Sequence, residues 1–344
     1  MDKRFSYKGA MHVHTVRSDG SGNLDKISKA AARAGLSWII VTDHNDFDSE
    51  EGFMNGVCVI KGEEISPADA NHYLALDIKE KIEPHENPTV NVVNVIRQGG
   101  FGICAHPDES GMRKNSHKPI KWTDETVSGD GVEIWNAMSD WTDNYDEKNF
   151  LKTAAAFLFP RFFMRGAKRK TLAGWDNSNL HSRFVKPAVS GCDAHAFKIK
   201  KYFIPVTVFS YERMFRTSAI NSIILKNELP KDFEECKRAV LGAIRGANNI
   251  IMNASEIKTV PEIFVESLGK RAYCGELANF SKDETFFVAE FEKPVRIRLL
   301  RDGKVVLKTF GNKIRYKIEK RGKYRIEGLE GLRPVFYSNP ICVF

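Results

Sequence analysis

The segment Trp38-Ile39-Ile40-Val41-Thr42-Asp43-His44 gives the strongest indication of fold class in this chain. Its first five residues are apolar or β-branched without a break, which is typical of a strand covered on both faces of a parallel sheet. The preceding stretch 24–34 places alanine and leucine residues on one helical face. A helix followed by a strand that is buried on both faces predicts an α/β fold.

The same alternation continues through the first two-thirds of the chain. Short apolar segments predict further strands at 10–14, 57–60, 102–105, 132–135 and 188–190. The stretch 230–246 has the apolar spacing of an amphipathic helix. Alternating strands and helices over this length indicate either an α/β barrel or an open doubly wound sheet.

The pattern changes at about residue 258. Segments 295–299 and 314–318 alternate apolar and charged residues, and Arg301-Asp302-Gly303-Lys304 is a hairpin-turn signal. We therefore predict two domains, an α/β domain over 1–257 and a small antiparallel β-sandwich over 258–344. A helical, aromatic-rich and basic insertion is predicted within the first domain at about 140–185.

Composition excludes several classes of protein. Hydrophobic residues make up 42% and charged residues 28% of the 344 residues, which excludes disordered and fibrous chains. No apolar window approaches the roughly 18 residues of a membrane span, and the polar start of the chain predicts no signal peptide. Six scattered cysteines without a C-x-x-C pattern favour a reduced, cytoplasmic location. The net charge of +8 fits an anionic partner.

Histidines and acids recur near the ends of the predicted strands. His12 and His14 are two residues apart on a strand, so both imidazoles leave the same face, and Asp193 and His195 repeat this spacing. Four more residues border predicted strands, and they are His44, Glu64, His72 and His106. The ends of strands are where α/β folds build their sites.

This set of side chains predicts a metal centre. Imidazole and carboxylate ligands without thiolate suit Zn, Mn or Fe. One ion takes about four to six ligands, so the set predicts two or three divalent ions. Such a cluster activates a bridging water and holds the oxygens of a phosphate during hydrolysis. The residues thus favour a metal-dependent hydrolase whose substrate is a small phosphate ester.

The order of these motifs resembles the PHP (polymerase and histidinol phosphatase) superfamily of metal-dependent hydrolases. The resemblance covers about residues 1–255 and is carried by His12/His14, Ser18-Asp19-Gly20, Thr42-Asp43-His44, Gly62-Glu63-Glu64-Ile65-Ser66, His72, Ala105-His106-Pro107 and Asp193-Ala194-His195. It implies a distorted (β/α)7 barrel with two or three Zn, Mn or Fe ions and a hydroxide that bridges them.

The resemblance also implies how the ligands divide among the ions. His12, His14, Glu64 and Asp193 would hold the first ion. Glu64 would bridge to a second ion held with His72 and His106, while Asp19, His44 and His195 would hold a third. His72, His195 or a metal-bound water would protonate the leaving group.

The C-terminal part resembles one branch of that superfamily. The segments Tyr337-Ser338-Asn339-Pro340-Ile341, Val132-Glu133-Ile134-Trp135-Asn136 and Gly174-Trp175-Asp176 have counterparts in a group that includes carbamate-cleaving enzymes. This resemblance implies hydrolysis but leaves amide or carbamate substrates as an alternative to phosphate esters. Glu133 and Asn136 would either face the substrate or form a buried polar pair.

Two basic stretches leave further alternatives open. Arg161 and Arg165, beside Phe162 and Phe163, would form either a lid that binds an anionic substrate or a solvated helix. Residues 293–325 contain 13 Lys and Arg against two acids. That stretch predicts either a solvated sheet face or the surface of a nucleic-acid-associated protein whose barrel is degenerate. The intact ligand set favours the enzyme, and the sequence predicts no particular oligomeric state.

Overall fold

Six helices and a large sheet form a mixed α/β fold. The computed structural model describes residues 3–110, 119–123, 129–143, 155, 158–159, 164–201, 204–207 and 209–344. The helices within these residues are α1 (Leu24–Arg33), α2 (Pro88–Arg97), α3 (Ala137–Thr142), α4 (Arg169–Leu180), α5 (Tyr211–Thr217) and α6 (Phe233–Arg245).

Twenty strands lie within the described residues. The first twelve are β1 (Phe5–Ala10), β2 (Trp38–His44), β3 (Gly52–Met54), β4 (Val57–Ile65), β5 (Tyr73–Leu76), β6 (Phe101–Cys104), β7 (Gly131–Asn136), β8 (Ala188–Gly191), β9 (Lys198–Lys201), β10 (Ile204–Thr207), β11 (Ala219–Leu225) and β12 (Asn249–Asn253). The last eight are β13 (Glu262–Ser267), β14 (Lys270–Ala272), β15 (Leu277–Ala278), β16 (Thr285–Arg301), β17 (Lys304–Lys317), β18 (Gly322–Glu330), β19 (Arg333–Ser338) and β20 (Ile341–Val343).

Strand β2 is buried on both faces, as its sequence predicts. Ile39 and Val41 pack into a core cluster that includes residues of α1, such as Ile27. Trp38 and Ile40 face the other way and join a second cluster with residues of α6. Because helices cover both faces, the strand carries an unbroken apolar run instead of an alternating one.

Seven strands of the first region pair in a ring. Strand β2 lies between β1 and β4 and is parallel to both. Strand β5 is antiparallel to β4 and β6, and β7 is parallel to its neighbours β6 and β8. The chain after β8 then returns to the chain after β1, because the amide of Cys192 donates to the carbonyl of Met11 at 3.0 Å. A parallel bridge between Val13 and Ala194 continues this contact.

The antiparallel direction of β5 follows from its short connection. Only residues 66–72 separate β4 from β5, whereas a parallel crossover needs about a dozen residues or more. The beginning of β5 therefore lies beside the end of β4, in the register that pairs Ile65 with Tyr73. His72 precedes β5, whereas the other candidate ligands lie at or after the ends of their strands. Because β5 is antiparallel to β4, His72 lies at the same end of the ring as those ligands.

The C-terminal strands continue the sheet of the first region. Strand β19 pairs antiparallel with β12, with Ile250 opposite Ser338. The side chain of Asn339 donates to the carbonyls of Ala188 and Asn249 at 2.9 and 3.1 Å. The pairings among β13 to β20 are antiparallel apart from the parallel pair β15 and β20. The division into a barrel and a sandwich domain at 257/258 stays a prediction.

Acidic residues from outside 293–325 pair with basic residues of that stretch. These ion pairs join Arg298 to Glu327 (3.1 Å), Lys313 to Glu290 (3.0 Å), Arg315 to Glu266 (2.7 Å), Lys317 to Asp283 (3.2 Å) and Arg325 to Asp176 (2.6 Å). Much of the local positive charge is thus balanced within the protein. This supports the solvated-face interpretation, and binding of a nucleic acid there stays an untested alternative.

Two further sequence expectations concern the whole chain. No helix among the described residues has the length and apolar character needed to cross a membrane. All six cysteines belong to the described part of the chain, where they are buried and free of disulfides. The cytoplasmic location that we inferred from them stays a prediction.

Candidate metal centre

All nine predicted metal ligands lie at one end of the strand ring. They come from the chain after β1, the ends of β2 and β4, the start of β5, and the chain after β6 and β8. Their imidazole and carboxylate groups approach one another within hydrogen-bond or ion-pair distance, and they are His12, His14, Asp19, His44, Glu64, His72, His106, Asp193 and His195. Residues spread over 184 positions of sequence thus form one cluster.

Glu64 is the centre of this cluster. Its side chain is 0% exposed, and its two oxygens face five imidazoles. Oxygen Oε2 lies 3.3 Å from His12 Nε2, 3.4 Å from His14 Nε2 and 2.9 Å from His44 Nδ1. Oxygen Oε1 lies 2.8 Å from His72 Nδ1 and 3.3 Å from His106 Nε2. The two oxygens of Glu64 therefore face two different sets of imidazole nitrogen atoms.

Two aspartates are the other acidic residues among the predicted ligands. Oδ1 of Asp193 lies 3.4 Å from both His14 Nε2 and His195 Nδ1. Oδ1 of Asp19 lies 3.1 Å from His195 Nε2 and 3.9 Å from His44 Nε2. The side chain of Asp19 is 48% exposed, whereas that of His14 is fully buried. The cluster is therefore open to solvent on the side of Asp19.

The ligand atoms of the cluster form four groups. Within each group the atoms lie within 4.8 Å of one another, which is close enough to share an ion. The groups are His14, Asp19, His44 and His195; His12, His106 and Asp193; His12, His14 and Glu64; and His44, Glu64 and His72. The predicted third set, Asp19, His44 and His195, falls within one group. The predicted first and second sets are divided differently, so the assignment of ligands to individual ions stays a prediction.

Three buried atoms in the cluster form no hydrogen bond of regular geometry within the described part of the chain, although each lies within ion-pair distance of a neighbouring group. They are His12 Nε2, His14 Nε2 and Glu64 Oε2. Buried polar atoms are nearly always paired, because an unpaired one costs about 1–3 kcal/mol. A cation among these three atoms would satisfy all of them. The donor set therefore fits the divalent ions that the sequence implies.

The charge of Glu64 and the imidazoles that face it shift each other's pKa values. Burial would raise the pKa of Glu64, yet the imidazoles of His44, His12 and His72 hold that pKa well below its ordinary value. Burial would likewise lower the pKa values of His44 and His106, but the facing Glu64 raises both to about 9. Glu64 thus retains protons on His44 and His106, and a metal ion would displace those protons. At His14 and His72 burial prevails, and it lowers the pKa of His14 to about 4 and that of His72 below its ordinary value.

The backbone is strained at three of the predicted ligands. His12, His106 and Asp193 have φ values of 61°, 28° and 49°. This left-handed region is uncommon for residues other than glycine, and such conformations cost about 1–3 kcal/mol each and concentrate at functional sites. No pattern in the sequence indicates these angles, because the tertiary contacts impose them.

Sequence reasoning missed two buried side chains that hold the loop after β1. Asp43 accepts hydrogen bonds from the backbone and hydroxyl of Thr15 at 2.7 and 2.8 Å, and from the hydroxyl of Ser18 at 2.6 Å. The hydroxyl of Tyr211 donates to the carbonyl of His14 at 2.8 Å. Asp43 is adjacent to His44, which was a usable signal. Tyr211 lies far away in the sequence, and only the fold brings it near.

The predicted substrate residues occupy different surroundings. Glu133 and Asn136 are buried and bonded to each other, with Asn136 Nδ2 donating to Glu133 Oε2 at 3.0 Å. Arg165 is exposed, and its amide donates to Asp140 at 3.0 Å. Arg161, like Phe162 and Phe163, lies outside the described residues. A substrate role for these residues stays a prediction.

An aromatic ring stands at the open side of the cluster. Phe197 stacks on the imidazole of His195, with ring centroids 4.6 Å apart and an angle of 13° between the planes. Its side chain is 39% exposed. The ring of Phe197 thus covers one face of the His195 imidazole and exposes part of its own apolar surface to solvent.

Comparisons with known proteins found distant structural similarity alone. No protein-family model matches the chain, and no curated protein sequence matches it significantly. Among solved structures it is similar to a protein from Bacteroides vulgatus ATCC 8482, described as a two-domain protein containing a predicted PHP-like metal-dependent phosphoesterase. The sequence identity is 13%, the TM-score is 0.48, and the match covers 98% of this chain and 95% of that chain.

Two further solved structures are similar over shorter parts. PsfC from Pseudomonas syringae PB-5123 is 12% identical, with a TM-score of 0.41 over 70% of this chain and 89% of that chain. A candidate metal-dependent phosphoesterase from Bifidobacterium adolescentis ATCC 15703 is 12% identical, with a TM-score of 0.30 over 58% of this chain and 90% of that chain.

Proposed function

We propose that this protein is a metal-dependent hydrolase of the PHP type that acts on a small phosphate ester. The observation that carries the proposal is the position of Glu64, fully buried and surrounded by five imidazoles within 3.4 Å of its oxygens. A carboxylate in this setting is suited to bridging two cations. The seven-stranded barrel of the PHP fold is part of the same proposal.

The nine clustered side chains would hold two or three divalent ions, for which Zn, Mn and Fe are the candidates. When bound, such ions supply an activated water and neutralise charge that develops on phosphate oxygens. Glu64 would hold two of the ion positions together. His14, which approaches both Glu64 and Asp193, would lie at the junction between positions.

His195 is placed to hold or transfer a proton at a defined atom. Its Nδ1 donates to the backbone carbonyl of Asp193 at 2.9 Å, which orients Nε2 toward Asp19. This orientation makes Nε2 the atom that would bind an ion or protonate a leaving group. Its place beside the solvent-exposed Asp19 puts it where a substrate would enter. His72, which is 6% exposed, is the alternative proton donor.

Charge balance favours an anionic substrate over a neutral amide or carbamate. Three divalent ions would bring six positive charges to a cluster that holds the carboxylates of Asp19, Glu64 and Asp193, with Glu133 beside His12. With three ions the positive charges exceed these four carboxylates by two, and this excess would attract a phosphate group and stabilise the charge of the transition state. With two ions the four positive charges equal the four carboxylates, and this preference for an anion would be absent. Amide or carbamate hydrolysis remains the alternative that a substrate screen must test.

The experiment that tests the proposal combines metal analysis with a substrate screen. The protein would be freed of metal with a chelator, reloaded separately with Zn²⁺, Mn²⁺ or Fe²⁺, and assayed against phosphomonoesters, phosphodiesters, amides and carbamates. We expect two or three bound ions and metal-dependent release of phosphate. Hydrolysis of carbamates without hydrolysis of any phosphate ester would replace the proposed substrate class. Failure to bind metal would overturn the proposal.

A further inference from the structure

Glu133 and Glu64 lie on opposite sides of the His12 imidazole. Oε1 of Glu133 lies 2.9 Å from Nδ1 of His12, and both side chains are 0% exposed. A carboxylate at this distance accepts the Nδ1 proton of the imidazole. His12 must then present its other nitrogen, Nε2, to Glu64 and Asp193, from which Nε2 is separated by 3.3 and 3.7 Å.

The second oxygen of Glu133 reaches another predicted ligand. Oε2 accepts a hydrogen bond of 2.7 Å from the backbone amide of His106. It also accepts one of 3.0 Å from Asn136, whose Nδ2 lies 3.2 Å from Asp193 Oδ2. The two oxygens of one side chain on β7 therefore fix the relative positions of groups that follow three other strands.

Both ligands that Glu133 contacts have unusual backbone angles. His12 and His106 are in the left-handed region, at φ values of 61° and 28°. Strain of this kind persists only where the surroundings over-determine it. Two charge-assisted hydrogen bonds, donated to one buried carboxylate by His12 Nδ1 and the amide of His106, supply such a constraint.

A glycine leaves room for this carboxylate. A β-carbon at Gly191, at the end of β8, would lie 1.5 Å from Oε1 of Glu133 and 3.0 Å from the β-carbon of His12. Any larger residue would displace the Glu133 side chain. The contact between Glu133 and His12 therefore requires glycine at position 191.

We infer that Glu133 is a positioning residue that sets the tautomer of His12 and the spacing between His12 and His106. This inference rests on the proposed metal centre. Carboxylates behind ligating histidines fix the ring orientation and raise ligand basicity in metal sites generally. Glu133 does so for His12 and, through the amide of His106, ties a second ligand to the same support.

The test compares Zn²⁺ binding by the unaltered full-length protein and by Glu133→Gln, using calorimetry. The amide of glutamine cannot accept hydrogen bonds at both ends, so we expect affinity to fall by about 10- to 100-fold. Glu133→Asp, which retains the acceptor oxygens, should lose less. The matched control is Asp140→Asn, a buried carboxylate whose Oδ2 accepts from Trp135 Nε1 at 2.8 Å. This control should reduce thermal stability and leave the affinity for Zn²⁺ unchanged.

A spectroscopic measurement keeps the inference testable if the Glu133→Gln variant does not fold. In the Zn²⁺-loaded unaltered protein, ¹H–¹⁵N spectra should show His12 protonated at Nδ1, with its signal assigned by comparison with His12→Gln. A proton on Nε2 would overturn the inference, as would unchanged affinity in a folded Glu133→Gln variant. An increase in KM with unchanged affinity would also overturn it and favour a substrate role. If the unaltered protein binds no metal, the proposed function fails and this inference fails with it.

Discussion

The carboxylate of Glu64 lies 2.8 Å from Nδ1 of His72 because β4 turns directly into an antiparallel β5. Only residues 66–72 separate the two strands, so a short connection places the two side chains next to each other. Other imidazoles, from the ends of β1, β2 and β6, approach the same carboxylate from different directions. A local hairpin thus supplies the group around which the distant ligands assemble.

Replacing Glu64 by glutamine should abolish activity. The substitution preserves size but removes the negative charge between the imidazoles, so two cations would no longer be held together. We expect turnover to fall by several orders of magnitude, with lower metal content and an intact fold. Turnover rates, metal analysis and circular dichroism on Glu64→Gln check this. Near-normal turnover at full metal content would contradict the assignment of Glu64 as the bridging ligand.

Glu63 offers a matched control with its own pH dependence. Its side chain leaves the opposite face of β4, where Oε2 accepts from the amide of Ile82 at 2.8 Å. Burial raises the pKa of Glu63 from 4.5 to about 7. The unfolded chain therefore loses this proton at lower pH than the folded protein does, so the free energy of unfolding should decrease as pH rises from 4.5 to 7.

The size of that effect is measurable by urea unfolding. The shift in pKa corresponds to about 3 kcal/mol between pH 4 and pH 8. In Glu63→Gln this contribution to the pH dependence should disappear, with greater stability than the unaltered protein at pH 8 and with metal content retained. Equal pH profiles for the two proteins would show that Glu63 ionises normally in the folded state.

Metal binding should release protons and strengthen with pH. In the metal-free protein His44 and His106, with pKa values of about 9, carry protons at neutral pH. Burial would lower the pKa of His12, but Asp193, Glu64 and Glu133 raise it well above its ordinary value, so His12 carries a proton as well. Binding of ions must displace these protons, and apparent affinity should rise about tenfold per pH unit for each proton displaced between pH 7 and 8. Calorimetry in buffers of different ionisation enthalpy counts the protons. An affinity that does not change with pH would contradict the proposed ligand roles of these histidines.

Arg165 tests where the anionic part of the substrate binds. Its side chain is exposed, while its amide is held by Asp140. If the guanidinium pairs with a phosphate, Arg165→Ala should raise KM by about tenfold through loss of a charge-assisted hydrogen bond. Metal content and melting temperature should not change. Lower melting temperature with KM intact would indicate a structural role, and no effect on either would favour a neutral substrate.

Local pattern accounts for what the sequence predicted. The apolar run of β2 follows from strand geometry, which depends on neighbouring residues alone. The strand predicted over 10–14 was wrong, because β1 is Phe5–Ala10 and His12, with φ 61°, and His14 follow it. The sequence nevertheless located the candidate ligands, and the structure brings them together at one end of the strand ring.

Tertiary contacts account for what the sequence did not predict. The contact between Tyr211 and the carbonyl of His14 joins residues 197 positions apart. The strained backbone of His12 and His106 and the position of Glu133 beside them depend on how the strands close into a ring. A residue type at a strand end does not reveal whether its side chain points into a site or supports it from behind.

The number of bound ions, measured together with activity, tests the central claim most directly. Protein dialysed against a chelator should contain no metal and show no turnover of a phosphate ester. Stepwise addition of Zn²⁺ or Mn²⁺ should restore turnover as two or three ions bind per chain, and Glu64→Gln should prevent that recovery. Full activity in a sample shown by elemental analysis to be free of metal would contradict the account.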